Sequence, residues 1–275
     1  MTDPHPARAD GAIFRPDGPG RFVPTDAAAG AWDARLVHGA AIAGLLAGQL
    51  APPADRTLAR LTLEILAPVP MGPLTVEVTE PAGGARVQRR DATLSAGDKV
   101  VATARSLLVR RADPDLRLPD KALDHPSPFD PAAAPAMDEP HREAAAMVGH
   151  ESLDSLGFTW VPMRVEGDRR THQWVSLLLP VVAGTELQGI ELAAVAADYA
   201  QSAVNRQLPL RDWSFRSVDM TLNLTREPVG PWIGMRCEGL VQPVGAGFNA
   251  ADLFDHDGRL GRTTASVVVE PRQPR

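Results

Sequence analysis

The sequence predicts an α+β fold: two tandem repeats, each with a central helix wrapped by an antiparallel sheet. Three observations carry this. His38–Leu50 (HGAAIAGLLAGQL) has helical propensity and is apolar nearly all round, so it belongs inside a fold rather than on its surface. Most other periodic runs alternate apolar and polar residues, the signature of half-buried strands. This order, helix and then strands, occurs once on each side of a Pro-rich stretch.

Taken in order, residues 1–20 are rich in Pro, Gly and Asp and read as a disordered tail. Phe22–Pro24 reads as a short strand, and a turn near Gly30 leads into the first helix. Its thirteen residues are too few to span a bilayer. Glycines 39, 44 and 48 imply that something packs very close to it, either a strongly curved sheet or a ligand. Ala59–Ile65, Leu74–Val78, Ala85–Leu94 and Lys99–Val109 follow as four strands in meander order, completing an N-terminal repeat over 21–111. Residues 112–140 hold seven prolines and read as a surface linker. The C-terminal repeat, 141–275, has strands at Gly157–Val165 and His172–Leu179 and a helix over Leu187–Ser202. After these come one long strand, Trp213–Thr225, and three more at Ile233–Leu240, Phe248–Phe254 and Arg262–Val269.

The two halves can be laid on one another. Leu61-Thr62-Leu63-Glu64 falls on Met220-Thr221-Leu222-Asn223, Pro70-Met71-Gly72-Pro73 on Pro228-Val229-Gly230-Pro231, and His38-Gly39 on Gln188-Gly189. The clefts between two such copies are natural ligand sites.

Composition bounds the function. With 275 residues and a net charge of −6, the chain has no run of Lys and Arg suited to nucleic acid. The single cysteine, Cys237, excludes an internal disulfide and a cysteine metal cage, which fits a cytoplasmic setting. The N-terminal residues have no apolar core of the kind a signal peptide needs. The seven histidines are scattered, and no zinc, dinucleotide or P-loop motif is present, so neither metal nor cofactor is expected.

Asp198 breaks the repeat. It shares a helical face with Ile190 and Ala194 and should point inward, where its counterpart is Gly48. A carboxylate on an apolar face either bonds neighbouring backbone or Arg206, or is kept for chemistry. Ser217 is in phase with Asp219, Thr221 and Asn223, a polar stripe that becomes a site only where a helix lies against it. No G-x-S-x-G elbow surrounds any serine, which argues against a serine hydrolase. His38, at a helix start, is either a substrate-binding group or base, or a cap. The N–H groups of Gly39 and Ala40 beside it can hold an oxyanion or a thioester oxygen.

The order of elements resembles the double-hotdog acyl-CoA thioesterases of the thioesterase II type. The resemblance is carried by Trp32-Asp33 to His38-Gly39 with its helix, by Leu63–Leu74 (LEILAPVPMGPL), by Ala197-Asp198-Tyr199-Ala200, by Phe215–Pro231 and by Gly261–Val269. It implies water attack on a fatty acyl-CoA thioester without a covalent intermediate, oriented by an Asp, a Thr and a Gln. Asp198 matches the Asp, Ser217 stands at the Thr position, and Ala265 stands at the Gln position, where its side chain can neither donate nor accept. Losing one such group commonly costs about 10²–10³ in rate. Two functions follow from the resemblance: an acyl-CoA thioesterase, or a non-catalytic acyl-CoA-binding protein that keeps the cleft. A hydratase would call for an Asp and a His a few residues apart on a strand-to-helix loop, and no such pair follows a strand. Homo-oligomers are expected by family analogy.

Overall fold

The structure is a computed structural model. It describes residues 11–30, 33–112, 129, 158–163, 170–205, 207–208 and 212–272, with the backbone alone at 158–163 and 205. In chain order the first elements are β1 (Phe14–Pro16), β2 (Arg21–Pro24), α1 (Gly39–Gln49), β3 (Arg56–Ile65), β4 (Leu74–Val78), β5 (Ala82–Gly83), β6 (Val87–Ala96) and β7 (Lys99–Arg110). Then come β8 (Phe158–Met163), β9 (Thr171–Leu177), α2 (Gly189–Asp198), a 3₁₀ turn (Tyr199–Gln201) and the short α3 (Ser202–Asn205). The last are β10 (Trp213–Ser217), β11 (Asp219–Leu224), β12 (Ile233–Val241), β13 (Ala246–Asp255) and β14 (Gly258–Pro271). Trp32, Arg206 and the linker apart from Ala112 and Phe129 lie outside the described residues.

The strands form one antiparallel sheet in the order β1-β2-β4-β6-β7-β3-β11-β14-β13-β12-β9-β8, with β10 also on β14 and β5 on β6. The expected meander is therefore wrong. In the first half β3 pairs with β7 rather than with β4, and in the second half β11 pairs with β14 rather than with β12. The returning strands leave β3 and β11 side by side in the middle of an open sheet. The halves meet where β3 pairs with β11, with Thr62 facing Thr221 and Leu63 facing Met220.

The two helices occupy the interior. Ala40–Ala47 of α1 and Ile190–Ala197 of α2 are buried. They run antiparallel in direct contact, and the close partner implied by the glycines of α1 is neither sheet nor ligand but α2. A Cβ at Gly44 would come within 2.9 Å of a Val195 methyl, one at Gly48 within 2.3 Å of the Glu191 carboxylate, and one at Gly39 within 3.2 Å of the Asp198 carboxylate. Each glycine thus removes the side chain that would hold the helices apart.

Two further expectations need correction. The segment from residue 11 to 20 is part of the fold: Ile13 and Phe14 are fully buried, and Phe14 exchanges hydrogen bonds with the Val181–Ala183 backbone. The apolar trio Ala12-Ile13-Phe14 has enough surface to dock despite its Pro- and Gly-rich flanks. Within the linker, Phe129 is buried against Trp174 and Phe254, its ring lying where any side chain at position 234 would be, so that Gly234 is what admits it.

Candidate active site

The site forms where the C-terminal end of α2 meets the N-terminal end of α1. Because the helices are antiparallel, the last residue of α2, Asp198, is set against the first of α1, Gly39. The Asp198 side chain keeps 13% of its exposure, and that of His38 keeps 17%. Burial raises the Asp198 carboxyl above its ordinary value of 3.8. Charge interaction with His38 acts against that rise, as do the Ala40 N–H and the Ser217 hydroxyl, two donors near the carboxylate whose hydrogen bonds run to His38 Nδ1 and Gln201 Oε1. Among the described residues, Glu191 is likewise buried without an arginine, its carboxylate accepting the Gln188 N–H at its own helix start, whereas two other buried carboxylates are paired. Asp255 is clamped by Arg226, and Asp252 by Arg236 and Arg259. Among the described residues, the titratable groups that act on or respond to Asp198 are His38 and Tyr199.

His38 caps α1: its Nδ1 accepts the Ala40 N–H at 3.0 Å. That bond requires a lone pair on Nδ1, so the ring proton of the neutral form sits on Nε2. Nδ1 is also 3.6 Å from Asp198 Oδ2. Burial lowers the His38 pKa below 6.5 in spite of the nearby carboxylate, so the neutral cap is the form at pH 7. The Tyr199 ring stacks on His38, with centroids 6.1 Å apart. Of the two N–H groups read as carbonyl donors, Ala40's is engaged by the His38 ring, whereas Gly39's makes no hydrogen bond among the described residues.

Ser217 reaches the site by a change of phase. The expected continuous strand Trp213–Thr225 is broken at Val218. Before the break Phe215 is the buried residue and Ser217 is aligned with it; after it Met220, Leu222 and Leu224 are buried. One residue out of step turns Ser217 to the helix side while Asp219, Thr221 and Asn223 keep to the other face. The break is stitched from the neighbouring strand, where the Ser266 N–H donates to Asp219 Oδ1 at 2.5 Å.

Ser217 Oγ donates to Gln201 Oε1 at 3.3 Å, and Gln201 Nε2 donates to the Phe215 carbonyl at 2.6 Å. Sequence reasoning missed Gln201, and took in Tyr199 only as part of the Ala197–Ala200 stretch that carries the resemblance, with no role in the site. The available signal was spacing: Gln201 follows Asp198 by three and so lies on the same side of a helical turn.

Ala265 points inward, buried like Val267 and Val269 on the same strand, whereas Thr264 and Ser266 face outward. Directly opposite Ala265 on β13 is Asn249, fully buried, with neither side-chain amide atom hydrogen-bonded. No group of His, Cys, Asp and Glu able to hold a metal ion occurs among the described residues, and no described helix is long and apolar enough to cross a membrane.

Residues 28–109 match the family model of the acyl-CoA thioesterase N-terminal domain, and residues 121–269 that of the acyl-CoA thioesterase C-terminal domain. No protein of curated function matches the sequence. Three solved structures are similar along nearly their whole length. The chain covers 98% of a TesB protein of Mycobacterium avium subspecies paratuberculosis with 96% of its own length, at 16% identity and a TM-score of 0.62. It covers 97% of a proposed thioesterase of Novosphingobium aromaticivorans with 93% of its own, at 21% identity and a TM-score of 0.65. It covers 98% of a hotdog-fold protein of unknown function from Alicyclobacillus acidocaldarius with 97% of its own, at 16% identity and a TM-score of 0.61. At these identities the likeness is one of fold, and the fold is the hotdog.

Proposed function

The chain belongs to the acyl-CoA thioesterase family, and from that premise we propose that it hydrolyses an acyl-CoA thioester to the free acid and CoA by Asp198-directed attack of water. The observation that carries the reading is Asp198 itself: a mostly buried carboxylate with no arginine partner among its charge neighbours, set over Gly39 at a helix N-terminus. The water oxygen bonds to the thioester carbonyl carbon as one of its protons passes to the Asp198 carboxylate. The carbonyl oxygen gains charge and is met by the Gly39 N–H at the positive end of α1. The tetrahedral intermediate collapses, the C–S bond breaks, and the CoA sulfur takes the proton. Ser217 hydrogen-bonds the water, and His38 holds the helix start and lines the substrate.

We further read the molecule as a double hotdog formed from an N-terminal repeat over 21–111 and a C-terminal repeat over 141–275. Three features support this: the same return strand in each half, one interior helix in each, and the pairing of Thr62 with Thr221, the two residues that the sequence overlay equates. A cytoplasmic, homo-oligomeric protein acting in lipid metabolism is the setting that fits this reading.

The methyl group of Ala265, buried on the inner face, favours a second reading in which the chain binds acyl-CoA without turning it over. CoA release from a panel of acyl-CoAs, measured for the wild type and Asp198→Asn beside calorimetric titration with the same ligands, separates the two. Turnover that collapses in Asp198→Asn supports hydrolysis. Binding without turnover in either protein supports the second reading.

A further inference from the structure

This inference rests on the hydrolase reading and concerns how Ser217 is set for it. A serine hydroxyl has one proton to give and lone pairs to accept. Two acceptors compete for that proton: the Asp198 carboxylate and Gln201 Oε1, which receives it at 3.3 Å. The orientation of the Gln201 amide is fixed from its other end. Its Nε2 donates to the Phe215 carbonyl at 2.6 Å, and a flipped amide would set two oxygens against each other there. Oε1 is therefore held toward Ser217.

We propose that Gln201 is a positioning residue that takes the Ser217 proton and so leaves Ser217 Oγ as an acceptor for the attacking water. A water molecule has two protons. With one directed to Asp198 and the other to Ser217 Oγ, a lone pair is left to face the thioester carbon. Without Gln201 the Ser217 proton turns to Asp198, which removes one of the water's two acceptors and weakens the base. The carboxamide that orients the nucleophile thus comes from the turn after α2, and the small inward residue at 265 on β14 has no part in it.

The test uses Gln201→Leu, Gln201→Glu, Ser217→Ala and the double variant Gln201→Leu/Ser217→Ala, with kcat, KM and the pH profile of CoA release measured for each and folding checked by melting temperature. Gln201→Leu should lower kcat by about 10- to 100-fold with little change in KM. Its acid limb should move to lower pH, because Asp198 gains the Ser217 proton as a hydrogen bond. Gln201→Glu should move the limb to higher pH, because a second carboxylate then stands near Asp198 beside His38 and Tyr199. In the Ser217→Ala background, Gln201→Leu should change kcat by less than about twofold. A full loss in that background, or a Gln201→Leu variant that melts earlier with kcat and pH profile unchanged, overturns the proposal while leaving the hydrolase reading intact. A wild-type protein without turnover overturns the hydrolase reading, and this proposal with it.

Discussion

Asp198 and Asn249 are two mostly or fully buried polar side chains whose substitution should stabilise the fold in both cases but abolish CoA release at only one of them. Burial raises the Asp198 carboxyl above 3.8, so the folded chain binds that proton more tightly than the unfolded chain. The stability this contributes is complete below pH 3.8 and is lost as pH rises through the folded value, leaving the ionised group a net cost at pH 7. Asp198→Asn should therefore abolish CoA release yet melt above the wild type at pH 7, with the gap closing as pH falls toward 3.8. Melting curves at a series of pH values check this, and a gap independent of pH would contradict it. In the wild type the acid limb of kcat/KM should lie above 3.8 for the same reason. Asn249 has no such task in the proposed mechanism. Its unpaired amide is replaceable by a side chain of like size, and Asn249→Leu should raise stability by about 1–3 kcal/mol, read by denaturant unfolding, with CoA release retained.

At the scale of elements, the sequence was readable where one residue's neighbours lie on its own element and unreadable where they come from another. The strands, the apolar character of both helices and the inward turn of Asp198 followed from periodicity, because each element repeats its own pattern. Three features followed from contacts that no local pattern encodes: the closeness of α2 to α1, the return of β7 to β3, and the register break at Val218. Ser217 shows the consequence. Read along an unbroken strand it belongs to a polar stripe, and one residue of slippage brings it to the helices instead. The helix contact itself can be tested at Gly44, where an added Cβ would press on Val195 and Val181. Gly44→Ala should lower stability by about 1–3 kcal/mol, although alanine is the better helix former by about 1 kcal/mol. Gly72→Ala, with open space around the position, serves as the control. A Gly44→Ala protein as stable as the wild type would mean that the two helices yield easily. At Gly39 the same added methyl meets the Asp198 oxygens at 3.2 Å, so Gly39→Ala should lower kcat by about 10²-fold or less, while its melting temperature falls less than that of Gly44→Ala.

For the whole molecule, what matters is that the site belongs to neither half. Asp198, Ser217 and Gln201 come from the second half, whereas His38 and Gly39 come from the first, so the proposed hydrolysis would need both halves folded and in register. Among the described residues, three sets of contacts do most to join them. β3 pairs with β11 from Glu64 opposite Asp219 to Arg60 opposite Asn223, α1 packs on α2, and the Ile13–Phe14 segment bonds to the Pro180–Ala183 backbone. The exposed pair Arg111–Glu227, at 3.5 Å, adds little beside these. A shared sheet and a shared interior leave no boundary at which one half could melt while the other stays dry. Leu222, fully buried on β11 and paired with Leu61, sits on that joint. Leu222→Ala should cost about 2–5 kcal/mol. If the halves unfold as one unit, hydrogen exchange in β6 and β7 of the first half should accelerate by the same factor as in β12 and β13 of the second, because every slow amide then exchanges through the same global opening. Faster exchange confined to β12 and β13 would instead show two units that open independently. The register of Asp198 against Gly39 would then depend on docking rather than on folding.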